Sequence, residues 1–85
     1  MNDVIVKQIL LKTPQDVKAF CYAMSEFPRN VNVKVQHDTY VVDGKSILGM
    51  FSLDLSNPVD VIFESRDLLN PEVINKAIYS WELEE

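Results

Sequence analysis

The chain has 85 residues, of which 47% are hydrophobic and 25% charged, with a formal net charge of −5. This composition predicts one folded domain spanning residues 1–85 and excludes an extended disordered chain. The acidic balance argues against a nucleic-acid or anionic-membrane partner, because both require a basic surface. A single cysteine excludes an internal disulfide, no apolar run approaches the ~18 residues that cross a bilayer, and the amino terminus lacks a signal peptide's basic region. These features predict a cytoplasmic protein.

The first two predicted elements are a strand and a helix with a well-marked beginning. Residues 4–11 form an apolar run rich in β-branched side chains, which predicts a buried strand. Thr13 followed by Pro14 is typical of a helix start, with Thr13 as the N-cap. Apolar residues then recur at helical spacing as far as Pro28, which predicts a helix over residues 14–27.

A hairpin is predicted next. Valines alternate with polar residues over 31–36, which indicates a strand with one wet face. Residues 37–39 are predicted as the turn and residues 40–42 as a short partner strand. The only histidine, His37, is therefore expected in the turn as a solvated residue.

A short helix over residues 46–53 follows the Asp43-Gly44 turn signal, with Ser46 as its expected N-cap. It contains more large apolar residues than one face can bury: Ile47, Leu48, Met50, Phe51 and Leu53. At about 100° per residue, Met50 and Leu53 share one stripe, whereas Leu48 and Phe51 turn away from it. We therefore expect partial exposure of Ile47, Leu48 and Phe51, because a small exposed apolar patch usually marks a docking surface.

The last strand and helix complete the predicted fold. Apolar and polar residues alternate over 59–64, and Asn70 followed by Pro71 repeats the helix-start signal. The buried face of the last helix is predicted to comprise Val73, Ile74, Ala77, Ile78 and Trp81. The order β-α-β-β-α-β-α predicts an α+β open-faced sandwich, in which a four-stranded antiparallel sheet carries three helices on one face.

The segment Lys45-Ser46-Ile47-Leu48-Gly49-Met50-Phe51-Ser52-Leu53 resembles the one after the third strand of HPr, the phosphocarrier of the bacterial sugar phosphotransferase system. In that family a Lys-Ser-Ile-Met-Gly-type run carries a regulatory phosphorylation serine and a hydrophobic partner patch. The predicted element order is also that of the family, and Tyr22-Ala23-Met24-Ser25-Glu26-Phe27 gives a weaker match. The resemblance implies regulatory phosphorylation at Ser46 and partner binding through Ile47, Leu48 and Phe51.

The chain departs from the family at its reactive position. HPr-like phosphocarriers hold a phosphorylatable histidine at the start of the first helix, in a His-Ala-Arg-Pro motif, where the helix N-terminus and the arginine stabilise the phosphoryl group. The histidine position falls on Thr13 and the arginine position on Gln15, and neither side chain can serve that chemistry. The chain is in this respect similar to Crh proteins, which lack the histidine but keep the serine and its patch.

The resemblance implies a regulatory protein–protein interaction module in catabolite repression, and neither an ordinary phosphocarrier nor an enzyme. Its implied partners are a serine kinase and either a transcriptional regulator or another phosphotransferase-system component, with the chain a monomer or weak homodimer. No cofactor is expected, and no metal site, because the acidic residues lack ligand spacing. Three alternatives stay open: Ser46 serves only as a helix cap in a phosphorylation-independent adaptor, the chain inhibits a partner enzyme, or residual phosphocarrier activity persists through Thr13 or His37.

Overall fold

The computed structural model describes residues 2–83 and contains four strands and three helices. In chain order they are β1 (Asp3–Ile9), α1 (Pro14–Ser25), β2 (Val31–His37), β3 (Tyr40–Asp43), α2 (Ile47–Phe51), β4 (Val59–Ser65) and α3 (Pro71–Ile78). The strands form one antiparallel sheet in the order β1-β4-β2-β3. The predicted element order and the α+β open-faced layout are therefore confirmed.

A single hydrophobic core lies between one face of the sheet and the helices. Alternate residues of β2 and β4 enter this core, as the alternating pattern predicted. The largest fully buried side chains come from both layers: Phe20, Phe63, Ile9, Met24, Met50, Ile74 and Ile78. No helix within residues 2–83 is long and apolar enough to cross a bilayer.

The prediction of a buried first strand is wrong. Among the strands of residues 2–83, β1 pairs only with β4 and is an edge strand, with one isolated antiparallel bridge from Ile9 to Glu82. Its side chains alternate between exposed and half-buried before the buried Ile9. Val4 and Val6 are about half exposed on the sheet face that carries no helix. The end of β1 is also held by residues 81–83, because the Leu10 N–H donates to the Trp81 carbonyl (2.9 Å) and the Leu83 N–H donates to the Gln8 carbonyl (3.1 Å).

The hairpin and the end of α1 also differ from the predictions. His37 is the last residue of β2 and pairs with Tyr40, so the turn consists only of residues 38–39. Asp38 adopts a positive φ of 54°, which aspartate tolerates better than most residues and which a tight hairpin requires. α1 ends at Ser25, two residues before the predicted end at Phe27, which is half-buried beyond the helix.

Two predictions about the shorter helices need correction. α2 is five residues long, because Ser52 already forms its C-cap and the buried Leu53 lies beyond it. On the predicted face of α3, Ile74 and Ile78 are buried, and Ala77 and Trp81 are partly buried against the core. Val73, in contrast, is about half exposed. Val73 precedes Ile74 by only one position and so is rotated about 100° away from the centre of the stripe.

Candidate functional site

The Asp43-Gly44 turn positions Ser46 at the start of α2. The Ser46 N–H donates to the Asp43 carbonyl (3.0 Å), and Ser46 has extended backbone angles (φ −101°, ψ 114°) typical of an N-cap. Its Oγ accepts from the Gly49 N–H (3.2 Å), and its carbonyl accepts from the Met50 N–H (2.9 Å). The predicted capping role of Ser46 is therefore confirmed, whereas its phosphorylation stays a prediction.

α2 divides its apolar residues between the core and the surface. Met50 is fully buried and Leu53 nearly so. Ile47, Leu48 and Phe51, together the α2 patch, are 41%, 86% and 45% exposed. The predicted exposure of these three side chains is therefore confirmed; that a partner binds them stays a prediction.

Thr13, which the resemblance aligns with the histidine of HPr, is the N-cap of α1. Its Oγ1 accepts from the Asp16 N–H (3.1 Å), and Asp16 Oδ2 in turn accepts from the backbone N–H groups of Thr13 (3.2 Å) and Lys12 (3.0 Å). This reciprocal capping box brings a carboxylate to the helix end that carries the phosphoryl group in the family. Gln15, at the arginine position, is exposed and adds no charge. A phosphoryl group bound here would face the Asp16 charge without a guanidinium to offset it.

A groove of about 310 Å³ connects the N-terminus of α1 with the α2 patch. Its walls include Thr13, Phe51 and the loop residues Leu55 and Ser56. Residues that sequence reasoning placed in two separate sites therefore line one continuous surface. Leu55 was missed because it has no local signal of its own, and only the packing of α1 against α2 brings the loop to this groove.

His37 does not line this groove. Its Nε2 lies 3.6 Å from Asp38 Oδ2 in the same hairpin. The hydroxyl and the N–H of Ser56 donate to Asp54 and lower the pKa of that carboxyl, and the His37 charge lowers it further by a smaller amount. The carboxylates near His37 are therefore those of Asp38 and Asp54.

The remaining reactive groups do not assemble into a site. Cys21 is buried on α1, and its burial, followed by the charge of Asp43, raises the pKa of its thiol. Burial of this kind keeps a thiol protonated and unreactive. Within residues 2–83, no group of three or more His, Cys, Asp or Glu side chains is arranged to hold a metal ion.

Comparison with known proteins does not extend the family resemblance. No protein-family model matches the chain, and no curated protein or solved structure matches it either. The resemblance to HPr therefore depends on residues 45–53, the weaker match in α1 and the order of the elements.

Proposed function

We propose that this chain is an HPr-related regulatory interaction module that binds a protein partner through the α2 patch. The observation that carries the proposal is the exposure of Ile47, Leu48 and Phe51 on one five-residue helix, directly after the capping serine. Large apolar side chains concentrated on so short a segment are unfavourable in water unless a partner covers them. By resemblance, the partner is a transcriptional regulator of catabolite repression or another component of the phosphotransferase system.

The α2 patch can supply a useful part of a binding energy. Full burial of a large aliphatic side chain contributes about 1.5–3 kcal/mol, and Leu48 is 86% exposed, so nearly all of that is available. Ile47 and Phe51 are already more than half buried and can contribute about half as much each. The total is about 3–6 kcal/mol, which anchors an interface but requires the adjoining groove to offset the cost of association.

Ser46 is the proposed switch for this surface. A phosphate on its Oγ would lie beside the N–H groups of the first turn of α2, and an anion at a helix start is favourable by about 0.3–1 kcal/mol. Phosphorylation would therefore leave the fold intact. It would place about two negative charges next to Ile47 and so change which partners the α2 patch accepts.

A second candidate function is a phosphorylation-independent adaptor or inhibitor. The observation that favours it is the 3.2 Å hydrogen bond from the Gly49 N–H to the Ser46 Oγ, which accounts for the serine through capping alone. A divergent phosphocarrier is the weakest candidate, because the Thr13 hydroxyl accepts the Asp16 N–H and the Asp16 carboxylate caps the same helix end.

One binding experiment tests the module and its switch together. The purified chain is treated with the ATP-dependent serine kinase that modifies HPr, its mass is measured, and its affinity for a catabolite-control repressor is compared before and after treatment. Ser46→Ala removes the proposed acceptor, and Ser52→Ala removes the serine at the other end of α2 as a matched control. Leu48→Ser tests the α2 patch, with Leu68→Ser as the control at a similarly exposed (91%) leucine in the loop between β4 and α3.

We expect one phosphate on the wild type and on Ser52→Ala, none on Ser46→Ala, and tighter repressor binding by the phosphorylated form. Leu48→Ser should weaken binding about tenfold, because about 1.4 kcal/mol of burial is lost, whereas Leu68→Ser should bind normally. Binding that requires Leu48 but is indifferent to phosphate would favour the adaptor. Equal binding by all variants, or a label on His37, would refute the proposal.

A further inference from the structure

A second groove, of about 440 Å³, lies beside β2 and β3, and no residue of the α2 patch lines it. Its lining includes the charged residues Arg29, Lys34, Asp43 and Lys45, the polar Asn32 and the exposed Val41. The segments that meet here are the loop before β2, the first half of β2 and the end of β3. β2 extends beyond β3 at this end, because β3 pairs only with residues 34–37 of β2.

The groove is positively charged in a chain whose net charge is −5. Three of the eight cationic side chains line it, against one lining carboxylate, that of Asp43. One of the three, Lys34, is paired with Glu64 Oε1 (3.6 Å), which leaves Arg29 and Lys45. The Lys45 ammonium donates to the Val31 carbonyl (3.0 Å) and more weakly to the Pro28 carbonyl (3.4 Å). Among residues 2–83, no carboxylate lies within 4.0 Å of Lys45 or Arg29 in an ion pair, so neither charge is neutralised by an acidic side chain.

The groove borders a free strand edge. The Val33 carbonyl accepts from the Gly44 N–H (2.8 Å), so the backbone groups of Val33 point towards the β3 side. Backbone direction alternates along a strand, so Val35, two positions later, points the same way. The backbone N–H and C=O of Val42, which pairs with Val35, point towards β2, whereas those of the preceding residue, Val41, point away from the sheet. β3 is an edge strand, so within residues 2–83 no strand occupies the outer side of Val41.

We propose that this groove binds an extended acidic peptide segment, which pairs with the outer edge of β3 at Val41 and places carboxylates against Arg29 and Lys45. Strand addition to an exposed edge supplies backbone hydrogen bonds, and the flanking cations select the sequence that is added. The proposal stands apart from the α2 patch and does not depend on its partner.

The test uses the pentapeptide Glu-Val-Glu-Val-Glu, blocked at both ends, titrated into the ¹⁵N-labelled chain and followed by backbone amide chemical shifts. Three comparison probes are Lys-Val-Lys-Val-Lys, the acidic peptide N-methylated at its central residue, and a five-nucleotide oligothymidylate. Arg29→Gln and Lys45→Gln each remove one groove charge. Lys76→Gln removes an exposed charge from α3 and is the matched control.

We expect saturable shifts at the Val41 and Asp43 amides with the acidic peptide, and affinity that falls as salt is added. Arg29→Gln and Lys45→Gln should each weaken binding about twofold to fivefold, and Lys76→Gln should leave it unchanged. If Lys45→Gln disturbs the fold because the Lys45 contacts with backbone carbonyls are lost, Arg29→Gln alone decides the outcome. Equal binding of the basic or N-methylated peptide, tighter binding of the oligonucleotide, equal weakening by Lys76→Gln, or shifts centred on Leu48 would each overturn the proposal.

Discussion

The chain's two glycines flank Ser46, and substitution by alanine should have opposite effects at the two positions. Gly44 is buried, and its N–H donates to the Val33 carbonyl (2.8 Å), so its Cα lies directly against β2. A Cβ at Gly44 would lie 2.7 Å from Val33 Cγ1 and 3.2 Å from Val35 Cγ2. Both valines belong to the core and have no free space to retreat into.

The size of the effect follows from these contacts. Insertion of a methyl group into a packed site costs about 1–3 kcal/mol, and the lower entropy of the unfolded alanine chain returns about 0.4–1 kcal/mol. Gly44→Ala should therefore lower the free energy of unfolding by about 1–2 kcal/mol. With a urea m-value of about 1 kcal/mol/M for a small domain, the midpoint of unfolding falls by about 1–2 M.

Gly49→Ala is the matched control. Gly49 lies in the middle of α2, and a Cβ there would meet Ser46 Cβ and Oγ at 3.4 Å and Val42 Cβ at 3.5 Å, which are ordinary van der Waals contacts. Alanine is about 1 kcal/mol more favourable than glycine in a helix interior. Gly49→Ala should therefore leave the stability unchanged or raise it by up to about 1 kcal/mol.

Urea unfolding followed by Trp81 fluorescence and by far-ultraviolet circular dichroism measures both variants. Trp81 reports on the core because its ring packs edge-on against Phe20, with centroids 5.7 Å apart. The reasoning is refuted if Gly44→Ala unfolds at the wild-type midpoint or above it, or if Gly49→Ala loses as much stability as Gly44→Ala.

Two predictions concern α1. Thr13→Ala removes the acceptor of the Asp16 N–H and should lower the free energy of unfolding by about 1 kcal/mol, whereas Thr13→Ser should retain it; equal urea midpoints for the two variants would contradict the capping role. Burial raises the pKa of the Cys21 thiol, so its contribution to stability is complete below the unfolded pKa of about 8.5 and is lost as the pH rises through the higher folded pKa. Iodoacetamide at about pH 8 should therefore modify Cys21 no faster than the chain unfolds, and Cys21→Ala should reduce the loss of stability above about pH 8.5; rapid modification of the folded chain would count against this.

Helix starts and the buried faces of central strands could be predicted from the sequence. Thr13-Pro14 and Asn70-Pro71 each mark a helix start through contacts between residues three or fewer positions apart, and both caps are present in the structure. Alternation over β2 and β4 predicted their buried residues because both strands lie inside the sheet, with strands on either side and helices over one face.

β1 could not be predicted in the same way. Its apolar run favoured burial, yet Val4 and Val6 lie on the uncovered face of an edge strand. Burial there depends on which strand becomes the neighbour, a pairing between residues more than fifty positions apart that leaves no local trace. The hairpin turn differed for a smaller reason: cross-strand pairing of His37 with Tyr40 extends β2 into the residues whose composition indicated a turn.

In the candidate site, too, some features followed from the local sequence and others from the tertiary structure. The sequence by itself determined that Ser46 caps a short helix with too many apolar residues for one face, because capping and helical period act over a few residues. The helical period also predicted that Leu48 turns away from Met50, and only the tertiary structure decided how far each is covered: Met50 is fully buried and Leu48 is 86% exposed. Packing of α1 against α2 likewise joined Thr13 to Phe51 in one groove, and sheet pairing gathered Arg29, Lys34 and Lys45 beside a free edge. These groups are brought together by contacts between segments that are distant in the sequence. Those contacts form only when the whole core packs, so no single segment of the chain specifies them.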